Sequence, residues 1–229
     1  MEEKPAWREA AAMIRINVFV EGQTEETFVR DVLAPYFVNS QIYLSATIAR
    51  TSPGHKGGIV SYGKIKWQLE NLCNSDPSAY VTTMMDYYKF PEDFPGLGDI
   101  KDVVALQRVQ KIEKALFVDI GARNFIPNLM LHEFEALLFC APEKFGDWID
   151  EAAPVQQLIQ IKQQFDSPEH INNDPNTAPS KRILRLMPKY KKPLHGPLIA
   201  GDIGLDEIRA QCPHFNQWIN KLSALSQQR

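Results

Sequence analysis

Residues Ile14–Val20, IRINVFV, alternate apolar with polar positions and carry β-branched side chains, a pattern that predicts a strand. A short turn, EGQ, leads to Thr24, a good helix N-cap, with Glu25 and Glu26 in the first turn where the helix dipole favours acids. Phe28, Val32, Leu33 and Tyr36 then recur at helical spacing, and Pro35 predicts a stop or kink. Further strands are predicted over residues 41–50, over residues 79–88 with Asp86 at the end, and over residues 124–131, which run into a helix start at HEFEALLF. Helical periods cover residues 65–72 and 103–118, then 156–165, 181–187, 205–211 and 215–225. The segments between them, among them FPEDFPGLGD, SPEHINNDPNTAPS and PKYKKPLHGPLIAGD, are rich in proline, glycine and turn residues and predict connections.

Strands alternating with helices predict an α/β fold, a mostly parallel central sheet flanked by helices, followed by a helical C-terminal part. The expected organisation is a flexible extension over residues 1–12, an α/β core over 13–145, and a helical part over 146–229 packed on that core as one globular unit. The chain has 229 residues, 44% hydrophobic and 23% charged, the profile of an ordinary globular protein. No stretch approaches the ~20 apolar residues of a membrane helix. The first residues, MEEKPAWREAAAM, lack the apolar core of a secretory signal. Three widely spaced cysteines, Cys73, Cys140 and Cys212, argue against a disulfide framework or a cysteine zinc site and for a reducing cytoplasm.

The net charge of -3 gives no global attraction to nucleic acid. Between Lys181 and His195, however, Lys181, Arg182, Arg185, Lys189, Lys191 and Lys192 form a block without an acid. Such a block can follow a phosphate backbone; the alternative is a solvated basic surface.

Ligands of open α/β sheets bind outside the carboxyl ends of the strands. The sequence places acids at three such ends: Glu21, Asp86, and Glu133 with Glu135. Carboxylates converging from separate strands repel one another unless a cation sits among them, and all-oxygen ligands suit Mg²⁺ or Mn²⁺. Each acid taken alone reads as a solvated strand-end or capping residue. His132 shares a helix face with Glu135 and is a candidate metal ligand, general acid–base or phosphate contact; the alternative is a buried histidine bonded to a carbonyl. The zinc-protease pattern H-E-x-x-H fails in HEFEA. GIVSYGKI lacks the Ser or Thr that ends a phosphate loop, and GLGDIK lacks the third glycine of a dinucleotide site. Lys56, in GHKGG, is a further candidate phosphate contact.

The stretches VEGQTEETFV, GGIVSYGKI, TTMMDYY with FPEDFPG, LHEFEALLF, SPEHINNDPNTAPSKRI and KYKKPLHGPLIAGDIGLDEIRAQCPHF resemble the prokaryotic domain of unknown function 4276 family. The resemblance spans residues 14–222. That family is similar to the Toprim domain of topoisomerases, primases and overcoming-lysogenization-defect nucleases. It implies a Toprim/Rossmann-like fold, Mg²⁺ or Mn²⁺, phosphoryl transfer on nucleic acid with a nuclease as the leading activity, and an ABC-type or RecF-like ATPase partner in bacterial defence loci. Glu21 matches the first-strand glutamate and Asp86 the first aspartate of a D-x-D pair. Tyr88 stands at the second, so either Glu133 or Glu135 supplies the missing ligand, or metal binding is weak or absent. Lys181 and Arg182 would neutralise phosphate, and Glu169, Asn172 and Asp174 are candidates to converge on the same site. The alternative function is a non-catalytic module that binds the ATPase. A small-molecule enzyme on a Rossmann-like sheet is a third and weaker reading.

Overall fold

The computed structural model describes residues 13–50, 61–87, 90–98, 104–149, 152–171 and 176–227. Residues 1–12, Lys56, Tyr88, Asn172 and Asp174 lie outside these, and with them the expectations placed there. The alternating segment forms β1 (Ile14–Val20). It runs parallel to β2 (Ile42–Ile48) on one side and β3 (Tyr80–Asp86) on the other. The predicted strand over 124–131 is two short ones, β4 (Phe125–Ile126) and β5 (Leu129–Met130), each parallel to β3. Pro127 has no N–H for the ladder and divides them. In the gap Thr83 Oγ1 donates to the Asn128 carbonyl and accepts from its amide. The sheet order is β2-β1-β3-β4.

The helix after β1 is α1 (Gln23–Phe28), and it does not stop at Pro35. A π-helical turn, Val29–Leu33, joins it to α2 (Ala34–Val38). A wider turn accommodates a proline that cannot bond the carbonyl of Asp31. Then come α3 (Tyr62–Ser75), α4 (Ala105–Ile120), α5 (Ala152–Lys162), α6 (Pro179–Leu186), α7 (Lys192–Ile203), α8 (Leu205–Gln211) and α9 (Pro213–Ala224). Residues HEFEALLF do not start an α-helix; Phe134–Cys140 is 3₁₀. The predicted fold class, a mostly parallel sheet flanked by helices with a helical C-terminal part, is the one the chain forms. No helix among the described residues is long and apolar enough to cross a membrane.

Alternation along β1 feeds two apolar clusters. Phe19 packs with Ile65 and Leu69 of α3 and with Ile112 and Leu116 of α4. Ile14, Ile16, Val18 and Val20 pack with Phe28, the 3₁₀ segment, and Ile199, Phe215 and Trp218 of the C-terminal helices. The C-terminal helices therefore complete the core on one face of β1.

Helix α7 forms where the three prolines and two glycines of PKYKKPLHGPLIAGD predict a connection. Pro193 falls in its first turn, where an N–H has no partner to lose. Gly196 faces α1: a Cβ there would stand 3.1 Å from Phe134 Cε1 and Tyr190 Oη and 3.2 Å from Thr24 Cγ2. A side chain there would force these three neighbours to give by a few tenths of an ångström, so the glycine eases the close approach of α7, which brings Lys192 to the sheet's carboxyl edge.

Candidate functional site

Neighbouring parallel strands carry Glu21 and Asp86 to the same edge, since Val20 and Met84 pair across β1 and β3. The Asp86 backbone hydrogen-bonds the Glu21 carboxylate. One turn into α1, Glu25 is buried, 8% exposed, and its carboxylate takes hydrogen bonds from the helix's own first-turn backbone. It joins the site: its position predicts a helix-start acid first and a ligand only where the fold turns it inward, as it does here; Glu26 stays outside, paired with Arg30. The chain leaving β5 supplies the rest. The Phe134 amide donates to Asp86 Oδ1 at 2.9 Å, and Glu133 Oε2 accepts from the Ser180 amide in the first turn of α6 at 2.9 Å. Glu135, 2% exposed, pairs with the Lys192 ammonium at 2.9 Å.

Five carboxylates thus face one another. Burial, then Glu25, raises Glu21 from 4.5 to about 7. Burial raises Glu25 as well. It also holds Asp86 well above the carboxylate range, helped by Glu21, Glu25, Glu135 and Glu133. Glu135 rises to about 7, again through burial, with Lys192 pulling the other way. For Lys192 burial opposes the charge, but Glu135, Glu133 and Asp86 outweigh it and keep the pKa above its ordinary value. Lys192 also acts on Glu21 and Glu25, so its field reaches all five acids. Beside them Tyr190 is buried, its phenol pushed up by burial and by Glu135, Glu25 and Glu133, and its Oη has no hydrogen-bond partner among the described residues.

The predicted acids Glu21, Asp86, Glu133 and Glu135 are brought together. Other predicted residues are not. His132 is buried and uncharged, its pKa lowered to about 4 by burial and His170, and no carboxylate of the cluster acts on it. Lys192, expected on a phosphate-binding surface, is instead the cluster's counter-charge, because α7 turns it inward. Arg182 Nε donates to the Thr177 carbonyl at 2.6 Å, and its guanidinium lies over Phe165. Arg185 bonds the Asn176 carbonyl at 3.1 Å. It is the amino end of α6 that reaches the acids, not its arginines. Lys181, Arg185, Lys189 and Lys191 are exposed. Glu169 is not part of the site: it accepts from the His214 and Phe215 amides, 2.9 Å each, and caps α9.

Two residues of the site are not among those the sequence pattern singles out for it. Glu25 had a legible signal, since it shares a helix face with Phe28 and Val29, both buried, while Glu26 shares one with Arg30. Lys192 had one in Lys-Pro before an apolar run, a helix start. Among the described residues no group of three His, Cys, Asp or Glu already forms a set able to hold a metal ion.

Fold and site together define an α/β protein with a buried acidic centre at the carboxyl edge of its parallel sheet. The model of the family described as "Domain of unknown function (DUF4276)" matches residues 20–223, and the chain belongs to that family. No curated protein matches its sequence. Among solved structures it is similar to the C-terminal region of the Burkholderia pseudomallei OLD protein, with 16% identity and a TM-score of 0.44 over 93% of this chain and 100% of that one. It is also similar to the C-terminal region of the Xanthomonas campestris pv. campestris OLD protein, with 14% identity and a TM-score of 0.41 over 94% and 98%.

Proposed function

We propose that this chain is a Toprim-like, divalent-metal-dependent phosphoryl-transfer protein, a nuclease acting on nucleic acid alongside an ATPase in a bacterial defence or DNA-processing system. The observation that carries this reading is the convergence of Glu21, Glu25, Asp86, Glu133 and Glu135, with Glu21, Glu25, Asp86 and Glu135 displaced toward their protonated forms. Near pH 7 the cluster holds protons that a divalent cation would replace. The donor set fits such an ion: it is all oxygen, it has excess negative charge, and beside it Tyr190 Oη has no hydrogen-bond partner among the described residues. Glu21, Asp86, Glu25 and Glu133 or Glu135 would hold the ion, which supplies Lewis-acid charge at a phosphoryl oxygen and lowers the pKa of a water. Lys192, kept protonated by the acids, would be the cation at hand to offset charge developing on a phosphoryl group. The exposed cations Lys181, Arg185, Lys189 and Lys191 would follow the nucleic-acid backbone.

One observation favours the second reading, a non-catalytic module that partners the ATPase. Lys192 already offsets Glu135, and among the described residues no ready set of ligands is formed. A melting experiment separates the two. At pH 8, Mg²⁺ or Mn²⁺ at about a hundredfold its dissociation constant stabilises by about 2.7 kcal/mol, which raises the melting temperature by roughly 5–10 °C. Glu21→Gln and Asp86→Asn remove that rise, and the wild type, alone or with the ATPase, cleaves plasmid or single-stranded DNA with Mn²⁺. A wild type whose melting is indifferent to both ions overturns the metal-dependent reading and leaves the module.

A further inference from the structure

We infer that the outer edge of β2 pairs with β2 of a second copy of this chain, antiparallel, about a twofold axis at Ser45. β2 ends the sheet: β1 lies on one side, and no described residue pairs with the other. The phase of the backbone says which groups are left. The Gln41 carbonyl accepts from the Ile14 amide and the Ala49 amide donates to the Val20 carbonyl, so odd-numbered residues turn their backbone groups to β1. Alternate residues face opposite ways, and Ile42, Leu44, Ala46 and Ile48 present theirs outward. The strand, IYLSATI, has no charge, proline or bulge, none of the devices by which natural edges avoid pairing.

The side chains select a second copy as the occupant. Tyr43, Ser45 and Thr47 lie on the face of Phe19, which is in register with Thr47 and packs under α3. The Tyr43 ring is 46% exposed. Four residues along the same face, a groove of about 270 Å³ opens between strand and helix, its apolar lining Phe19, Ile48, Trp67 and Leu72 and its polar lining including Thr47 and Arg50. Trp67 on its wall is 63% exposed. An antiparallel copy centred on Ser45 sets Leu44 opposite Ala46 and Ile42 opposite Ile48, so the outward backbone groups meet as hydrogen-bonded pairs. The same register sets Tyr43 opposite Thr47, with its ring at the mouth of the groove. Ring and groove occur once in each copy, so the twofold arrangement fills both and closes. Two uncharged strands meet without repulsion. A seven-residue strand with one aromatic ring buries less than the ~800 Å² per partner of a standard interface, so the expected dimer is weak, with a dissociation constant of roughly 1–100 μM.

The test is sedimentation of the full chain from about 1 to 500 μM, joined to a cysteine cross-link across the axis. Opposed Ser45 Cα atoms would stand about 4.5 Å apart as a non-hydrogen-bonded pair, within disulfide reach. With glutathione disulfide as oxidant, two Ser45→Cys thiols lose two hydrogens to form the intermolecular bond and the glutathione is reduced. The thiol introduced by Tyr43→Cys faces Thr47 instead and stays unlinked; Cys73, Cys140 and Cys212 are buried. Ala46→Pro removes an outward amide and spares the bonds to β1, so association weakens at least tenfold while the monomer melts as before. A chain monomeric at about 500 μM, or Ser45→Cys linking no faster than Tyr43→Cys, overturns the inference. Should Ala46→Pro fail to fold, the cross-linking comparison still decides.

Discussion

Replacing Glu135 by glutamine should stabilise the metal-free protein at pH 8. Glu135 is 2% exposed, and its pKa rises from 4.5 to about 7 despite the ammonium beside it. That displacement corresponds to about 3 kcal/mol by which folding disfavours its ionised form. The sign follows from proton binding. Below pH 4.5 the acid is protonated folded and unfolded, and the native state carries no penalty. Between 4.5 and about 7 the folded chain holds a proton the unfolded chain has lost, so stability falls as pH rises; above 7 the full penalty is present. Glutamine resembles the protonated acid at every pH. Glu135→Gln should therefore raise the melting temperature by roughly 5–10 °C at pH 8 in a chelator and leave it within about 2 °C of wild type at pH 5. With Mg²⁺ or Mn²⁺ present the gain should shrink or reverse, because the variant loses a ligand. Calorimetry in chelator at the two pH values is the measurement. A variant less stable than wild type at pH 8, or a gain equal at pH 5 and 8, would refute a repelled acidic cluster.

Lys192→Met should act in the opposite direction, costing about 1–3 kcal/mol at pH 8 and less at pH 5, where Glu135 needs no counter-charge; paired melts at the two pH values read it. Gly196→Ala should cost about 1–3 kcal/mol at either pH, because the added Cβ crowds Phe134, Tyr190 and Thr24, and it should also strengthen metal binding by displacing the Lys192 charge that competes with the ion, as titration calorimetry would record. Charge reversal at Lys191 should weaken binding to DNA of any sequence and flatten the dependence of log K on log salt by about 1 for each phosphate no longer neutralised, with melting unchanged.

The fold was legible wherever a period was unbroken. IRINVFV gave β1 its span and both its faces, and Leu205–Gln211 fell where its helical period placed it. It was obscured where proline punctuates an element without ending it: at Pro35, absorbed by a π turn, at Pro127, which splits one strand into two, and at Pro193 and Pro197 in α7. The predicted acids were legible because a charge at the end of an apolar strand needs a reason. Their partners were not, since Lys192 lies 171 positions from Glu21 and its place depends on a glycine packed against α1.

That dependence links the fold to the chemistry. A carboxylate cluster of this density is unstable alone, and the chain meets the problem with a single cation carried on a helix whose approach Gly196 allows. Lys192 balances one charge among five acids, enough to let the native state form but too little to neutralise it. The remaining imbalance is what makes the site responsive: protons reduce it below pH 7, and a divalent cation would do so above. Stability and metal affinity should accordingly be opposed across variants of Glu21, Glu25, Asp86 and Glu135, each neutral substitution raising the metal-free melting temperature while lowering the shift that Mn²⁺ produces. If Glu21→Gln, Asp86→Asn and Glu135→Gln lowered both together, the acids would be structural, and the cluster would be an ion-pair network around Lys192 rather than a site.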